Sequence, residues 1–277
     1  MRILVTGSRG RVGSTVSLVL SEAGFEVVDF DIVDGNDVLD GCQLRAAMKD
    51  CDAVVHAAGL VEPLPGDPER LRVVNVEGTR QALDAATALS VRCFVFVSSA
   101  AATGVFKGGR LPDYLPLDEA HPSYAVCQYS ASKRDAEVLC EEAARASGMS
   151  VIVLCPPGVW TPETYHRILE ARRREPRFEW SPFWEYGAFI DVRDLATACR
   201  AAVTSSLVGY SRMLVASSDV TTSGRTSLEL VRDLMPNVPW RGDASYRSSP
   251  YQTLLRIDRA RSLLEWEPRF TWQSFLS

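Results

Sequence analysis

The stretch YSASK sets the Tyr129 phenol and the Lys133 ammonium four residues apart, inside SYAVCQYSASKRDAEVLCEEAARASG, whose apolar spacing is that of an amphipathic helix. Side chains four apart share one helix face. A phenol in ordinary surroundings loses its proton near pH ~10, and a nearby cation lowers that value, so the pair is expected to supply a base at neutral pH. Two unremarkable helix residues would read the same way, because Tyr-x-x-x-Lys is a short pattern. The company these residues keep decides between the two readings.

A second chemical feature is VTGSRGRVG, in which Gly7, Gly10 and Gly13 recur every third residue and not in the G-x-G-x-x-G pattern. Glycines between a strand and a helix permit a tight turn and a close backbone approach to a pyrophosphate, which then sits at the positive end of the helix. Arg9, Arg11 and Val12 belong to the same loop, and Asp31 follows about 20 residues on, at the end of the second strand. A carboxylate there accepts hydrogen bonds from ribose hydroxyls and repels a 2′-phosphate, so NAD is expected and NADP disfavoured. Arg9 and Arg11 could each reach a phosphate; the competing reading is pyrophosphate-side or surface solvation.

These residues need a scaffold. Near-continuous apolar runs at Arg2–Thr6, Glu26–Asp31, Ala53–Ala57, Cys93–Ser99 and Ser150–Cys155 read as strands buried on both faces. Helical spacing fills the gaps at Val12–Ala23, Glu69–Leu89 and Ala125–Ser147, with Gly24 and Gly148 as stops. The alternation predicts an α/β fold, a Rossmann-type doubly wound parallel sheet over residues 1–155. After Cys155 the texture changes to PPGVWTP and the aromatic FEWSPFWEYGAF. A helix is expected near Val192–Val203 and a further buried strand at Arg212–Ser217, so residues 156–277 read as a smaller substrate-binding region interleaved with the sheet. Of Trp160, Trp180, Phe183, Trp184 and Tyr186, some could stack on a sugar or base, although aromatic clusters more often form core.

Bulk properties narrow the partners. Hydrophobic residues make up 46% and charged residues 23% of 277 residues, which fits a folded chain, and no apolar run reaches a membrane span. Thirty Lys and Arg against 35 Asp and Glu give a net charge of −5 and no electrostatic reason to expect nucleic acid or an anionic membrane. The run Arg172–Arg174 reads as a solvated helix end, or as a phosphate-contacting patch. Seven cysteines without a C-x-x-C pair, and an N-terminus entering a strand directly, suggest reduced thiols and a cytoplasmic location. His56, His121 and His166 lack metal-site spacing, so no metal is expected. His56 reads as structural, and Tyr124 as either packing or cleft lining.

Taken together, the glycine loop, FVFVSS and YSASK resemble the extended short-chain dehydrogenase/reductase family, the NAD-dependent sugar epimerases, dehydratases and related dehydrogenases. Further motifs follow in order. NDVLD looks like the family's adenine-contacting pair, here Asp37 and Val38. HAAG is similar to the turn along the cofactor, at Ala57, Ala58 and Gly59, and NVEGT to the helix start that carries Asn75. CPPGVWTP, with Pro156 and Val159, and FIDVRDLA resemble the signposts of the substrate half. The resemblance implies Tyr129 as acid/base, Lys133 as the group that lowers its pKa and holds the nicotinamide ribose, Ser99 on the reacting oxygen and Ser98 in a backup role. It also implies a homodimer through the helices at Glu69–Leu89 and Ala125–Ser147.

Departures from the family pattern shape the expected reaction. Ala100 and Ala101 stand where dehydratases carry an Asp-Glu pair, so dehydration is disfavoured; Cys155 replaces a usual Arg and Asp191 a usual His, which points to remodelled substrate contacts. The first expectation is an NAD-dependent epimerase acting on a sugar or nucleotide sugar. A second is a dehydrogenase of a small sugar or sugar acid, because DIVDG and KDCDAVVHAAG look similar to uronate dehydrogenases. A third, a non-catalytic NAD-binding regulator, is opposed by the presence of Tyr129 and Lys133.

Overall fold

The apolar runs become strands, and the strands alternate their side chains between two cores. The computed structural model describes residues 1–106, 110–175, 182–222 and 224–276. In chain order its first half contains β1 (Arg2–Thr6), α1 (Arg11–Glu22), β2 (Glu26–Phe30), α2 (Gly41–Met48), β3 (Ala53–His56), α3 (Arg70–Arg72), α4 (Gly78–Ala88), β4 (Cys93–Val97), α5 (Gln128–Ser147) and β5 (Ser150–Cys155). There follow β6 (Gly158–Trp160), α6 (Pro162–Arg174), β7 (Phe189–Asp191), α7 (Val192–Thr204), β8 (Tyr210–Leu214), α8 (Ser227–Leu234), α9 (Ser245–Ser248), α10 (Asp258–Leu264) and α11 (Trp272–Leu276).

Six strands pair in parallel in the order β2-β1-β3-β4-β5-β8, which is the expected Rossmann-type sheet. Because successive side chains point to opposite faces, Leu4, Val54, Phe94, Phe96, Val151 and Val153 pack into one core with α2, α4 and α5. Ile3, Val5, Val55, Val95, Ile152 and Leu154 pack into the other, with α1, α7 and α10. A third cluster, Trp160, Tyr165, Ile168, Phe189 and Trp272, joins the two-stranded β6-β7 sheet to α6 and α11.

Several boundaries differ from expectation for local reasons. The helix read at Glu69–Leu89 is interrupted by a π-helical turn at Val73–Glu77 between α3 and α4. The helix expected from Ala125 begins at Gln128, where the Cys127 sulfur accepts the Ser130 N–H. The strand expected at Arg212–Ser217 lies at Tyr210–Leu214, because its register with β5 ends at the pair Cys155 and Leu214. Helices α2 and α6 lacked a recognised period, yet both have local start signals: Asp40 accepts the N–H groups of Cys42 and Gln43, and Thr161 forms a capping box with Thr164.

Candidate active site

In the sheet order β2 lies on one side of β1 and β3 on the other, and such a reversal opens a crevice beyond the carboxyl ends of the strands. The glycine turn after β1 and the Ala57–Gly59 turn after β3 meet there. Gly7 has φ of 69°, and a Cβ on it would sit 2.7 Å from the Ala58 nitrogen. A Cβ on Gly13 would fall 2.0 Å from the Gly7 carbonyl oxygen. The cradle is therefore closed to any side chain, and the unsatisfied N–H groups that begin α1 stand at its edge, suited to a pyrophosphate.

Two clefts meet at this turn. One, of about 390 Å³, has Asp31, Asp37, Val38, Ala58 and Arg9 in its wall. Asp31 accepts the Val33 N–H at 3.0 Å and the Arg9 N–H at 2.9 Å, which fix its carboxylate in the wall of this cleft. The Arg9 guanidinium is drawn onto Asp34 at 2.8 Å and Asp29 at 3.7 Å, which is surface pairing and not a reach toward a 2′-phosphate. Asp37 accepts the Leu39 N–H at 2.9 Å and pairs with Arg70 at 3.6 Å. These residues fit NAD: a side-chain-free turn, a helix N-terminus and a carboxylate at the ribose position.

The second cleft, of about 450 Å³, runs from Gly10, Arg11, Val12 and Gly13 to Ser98, Ser99, Tyr129 and Lys133, with Pro156 and Val159 across from them. Ser99 follows β4, its oxygen accepts the Ala101 N–H at 3.1 Å, and its hydroxyl lies near enough to the Tyr129 phenol to favour the ionised form. Lys133 is buried and donates to the Val97 carbonyl at 3.0 Å, with its ammonium 5.0 Å from the centre of the Phe96 ring. Burial lowers Lys133 to about 8, while the Glu137 charge holds it up. Tyr129 corrects the expectation of a lowered phenol. Burial pushes it up to about 12, the Ser99 hydrogen bond pulls it down, and Glu185 and Cys127 raise it further. Desolvation of the charged form outweighs the neighbouring donor.

Residues 3–215 match the family described as NAD dependent epimerase/dehydratase. The chain belongs to that family. A UDP-glucose 4-epimerase of Rhizobium meliloti (strain 1021) is 30% identical over 97% of this chain and 92% of its own length. Cinnamoyl-CoA reductase 1 of Oryza sativa subsp. japonica is 32% identical over 58% of this chain, which spans about half (49%) of that relative. Among solved structures, a short-chain dehydrogenase/reductase superfamily protein from Agrobacterium tumefaciens with bound NAD superposes with a TM-score of 0.74 at 23% identity, covering 100% of this chain and 95% of that one. Membership of this epimerase/dehydratase family makes the protein an enzyme of a group that uses NAD.

Within this family member, the other residues singled out in the sequence fall into place or aside. Asn75 does not line either cleft. Its side-chain oxygen accepts the Leu60 N–H at 2.7 Å and its nitrogen donates to the Leu60 carbonyl and the Ser132 hydroxyl, both at 2.9 Å, so it ties the turn after β3 to α5. His56 is structural: Thr6 and Thr79 flank its ring at 2.7 and 3.1 Å, and burial with the Lys133 charge lowers it to about 3. Tyr124 donates to Asp113 at 2.6 Å beneath Arg110 and packs away from the cleft. Cys155 and Asp191, the departures from the family pattern, are buried and engaged internally, Cys155 with Glu137 and Asp191 with Arg193 and Tyr165. They are thus structural replacements, not new substrate contacts. Arg172 is buried against Trp272, 4.4 Å from its ring centre, so the arginine run is not wholly a solvated helix end. Tyr186 is core, and Trp160 is buried in the third cluster while also lining the larger cleft; Trp180 lies outside the described residues, as do the side chains of Phe183 and Trp184.

Two acids went unread in the sequence. Glu137 continues the α5 stripe one turn past Lys133 and receives Ser98 at 2.5 Å, Arg212 at 2.8 Å and Cys155 at 3.3 Å. The i, i+4, i+8 spacing of Tyr129, Lys133 and Glu137 was its signal. Glu185 lines the larger cleft and accepts the Gly158 N–H, with no periodicity to announce it.

Proposed function

We propose that the protein transfers hydride between NAD and a carbon bearing a secondary hydroxyl or ketone on a sugar or nucleotide sugar, with Tyr129 as the acid/base. The observation carrying this reading is that Ser99, Tyr129 and Lys133 together line one end of a cleft whose other end is the glycine turn. NAD supplies the hydride acceptor. The turn at Gly7–Gly13 and the start of α1 hold its pyrophosphate, Asp31 takes the adenosine ribose hydroxyls, and Lys133 holds the nicotinamide ribose. Ser99 steadies the reacting oxygen while Tyr129 takes or returns its proton. With its phenol at about 12, Tyr129 is protonated near neutrality, ready to donate during ketone reduction; oxidation should speed up as rising pH removes that proton.

Epimerisation would use both directions in one turnover, whereas a dehydrogenase of a small sugar or sugar acid would release NADH. Dehydration is disfavoured by Ala100 and Ala101, which are small and buried at the positions following Ser99. In this reading residues 1–155 bind NAD and residues 156–277 bind substrate. The protein acts in the cytoplasm as a homodimer paired through α4 and α5, where Leu89, just past the end of α4, and Val138 of α5 are exposed; light scattering in solution checks the dimer. Among the described residues no helix is long and apolar enough to cross a membrane.

Tyr129→Phe tests the mechanism. Turnover of UDP-sugars, free sugars and uronates, followed by NADH absorbance and by product analysis, should fall ~10²- to 10⁴-fold. NAD affinity should stay within about twofold. A variant with full activity would reject the assignment.

A further inference from the structure

The wall of the adenosine cleft contains two cations, Arg9 and Arg70, and two carboxylates, Asp31 and Asp37. Arg70 and Asp37 pair with each other at 3.6 Å. Arg9 is held differently, by three acids at once. Its backbone N–H donates to Asp31 at 2.9 Å, its Nε donates to Asp34 at 2.8 Å, and a terminal nitrogen lies 3.7 Å from Asp29. Asp29 is shared, because it also accepts the Ser17 hydroxyl at 2.8 Å. Asp34 is therefore the principal holder of the guanidinium: it raises the Arg9 pKa most, with Asp29 and Asp31 adding less.

The chain after β2 puts Asp34 in this place. Residues Ile32–Asp34 form a single 3₁₀ turn, capped by the Asp31 side chain on the Val33 N–H and closed by Gly35 at φ 84°. With three residues per turn, side chains three apart lie one above the other. The acid that ends β2 and the acid that takes Arg9 are thus stacked on one side of the turn, and Arg9 touches both.

This arrangement bears on a group that NAD lacks. A 2′-phosphate carries a charge of about −2 near neutrality and has three acceptor oxygens, and the planar fork of an arginine in the cleft wall is the side chain best suited to receive it. Here the fork is already turned onto Asp34 and Asp29, neither of which lines the cleft. A phosphate arriving beside Asp31 would meet a like charge, and a cation whose charge is already matched by carboxylates outside the wall.

We propose that Asp34 is a positioning residue that sets cofactor specificity: by holding the Arg9 guanidinium it keeps from a 2′-phosphate the cation that would otherwise bind it, and so enforces NAD over NADP together with Asp31. This rests on the reading that Asp31 takes the adenosine ribose hydroxyls.

Calorimetric titration with NAD and NADP tests the tether without any turnover. Wild type should prefer NAD. Asp34→Asn should bind NADP about 10-fold more tightly than wild type does, while NAD affinity, the control for folding, stays within about twofold. The gain should shrink at about 0.5 M salt, as an ionic contact on the surface must. In an Arg9→Ala background the same substitution should leave NADP affinity within about twofold, because no guanidinium remains to be released. Asp34→Ser takes the place of the amide should Asp34→Asn fail the NAD control. Wild-type preference for NADP, an NADP affinity unmoved in Asp34→Asn, or an equal gain in Arg9→Ala would each overturn the proposal, the last by showing that only bulk charge had changed. Asp31→Asn separates the two readings: NAD affinity unchanged in that variant rejects the ribose placement, whereas the Arg9-dependent gain in NADP affinity judges the tether alone.

Discussion

The two walls of the cleft keep their shape by different means. On the sheet side, Gly7, Ser99 and the turn at Ala57–Gly59 are extensions of β1, β4 and β3, so the parallel register that builds the sheet also sets their spacing. On the far side, Gly158 and Glu185 depend on short elements braced by aromatic packing, the Trp160–Phe189 stack at 4.4 Å and the buried Trp272 behind it. The first wall is a by-product of regular hydrogen bonding, which a cofactor common to a whole family can use. The second is a set of individual contacts, free to change with the substrate while the first remains.

Removing the brace of the second wall should produce the largest effect. Trp272 is fully buried, donates its ring N–H to the Thr222 carbonyl at 3.3 Å and supports Arg172. Trp272→Ala should cost about 3–5 kcal/mol of stability, read from denaturant midpoints. Its effect on NAD affinity in the folded protein should be small, and an equal loss of both would erase the distinction between the walls. Gly13→Ala attacks the other wall. The added Cβ would collide with the Gly7 carbonyl backbone at 2.0 Å. NAD affinity should fall by ~100-fold, or about 2.7 kcal/mol, measured by calorimetry, with stability affected less.

Legibility in the sequence follows the same division. The strands β1 and β5 were read to the residue, and the glycine turn and the Tyr129–Lys133 pair were legible because period, glycine spacing and the i, i+4 rule are local signals, whereas Ser99 was singled out only through the family resemblance. The π-helical turn at Val73–Glu77 was hidden because its side chains keep a helical pattern. Asn75 was expected on the cofactor and is instead occupied with Leu60 and Ser132, a matter of side-chain partners that spacing cannot reveal. The Tyr129 phenol was misjudged in direction because the sequence shows its cation four residues away but not its burial. Glu185 was invisible for a stronger reason. Its place depends on three left-handed residues held by Phe106, Val105 and Thr221, contacts far apart in the chain.

Glu137 offers the smallest and sharpest test, because it lies one helical turn past Lys133 and ties α5 to β8 through Arg212. Burial pulls the Lys133 ammonium down to about 8, and the Glu137 carboxylate opposes that pull. Glu137→Gln keeps the size of the side chain and removes the charge, so the Lys133 pKa should fall below about 8. At pH 8 Lys133 would then have lost its proton, and with it a donor to the nicotinamide ribose; at pH 6 it would remain charged. NAD affinity should therefore weaken by no more than ~10-fold at pH 8 and little at pH 6, moving the pH midpoint of binding downward by about one unit. A loss equal at both pH values would mean that Glu137 serves only to hold α5 against β8. A shifted midpoint would mean that the charge on Lys133 is set by the next turn of its own helix.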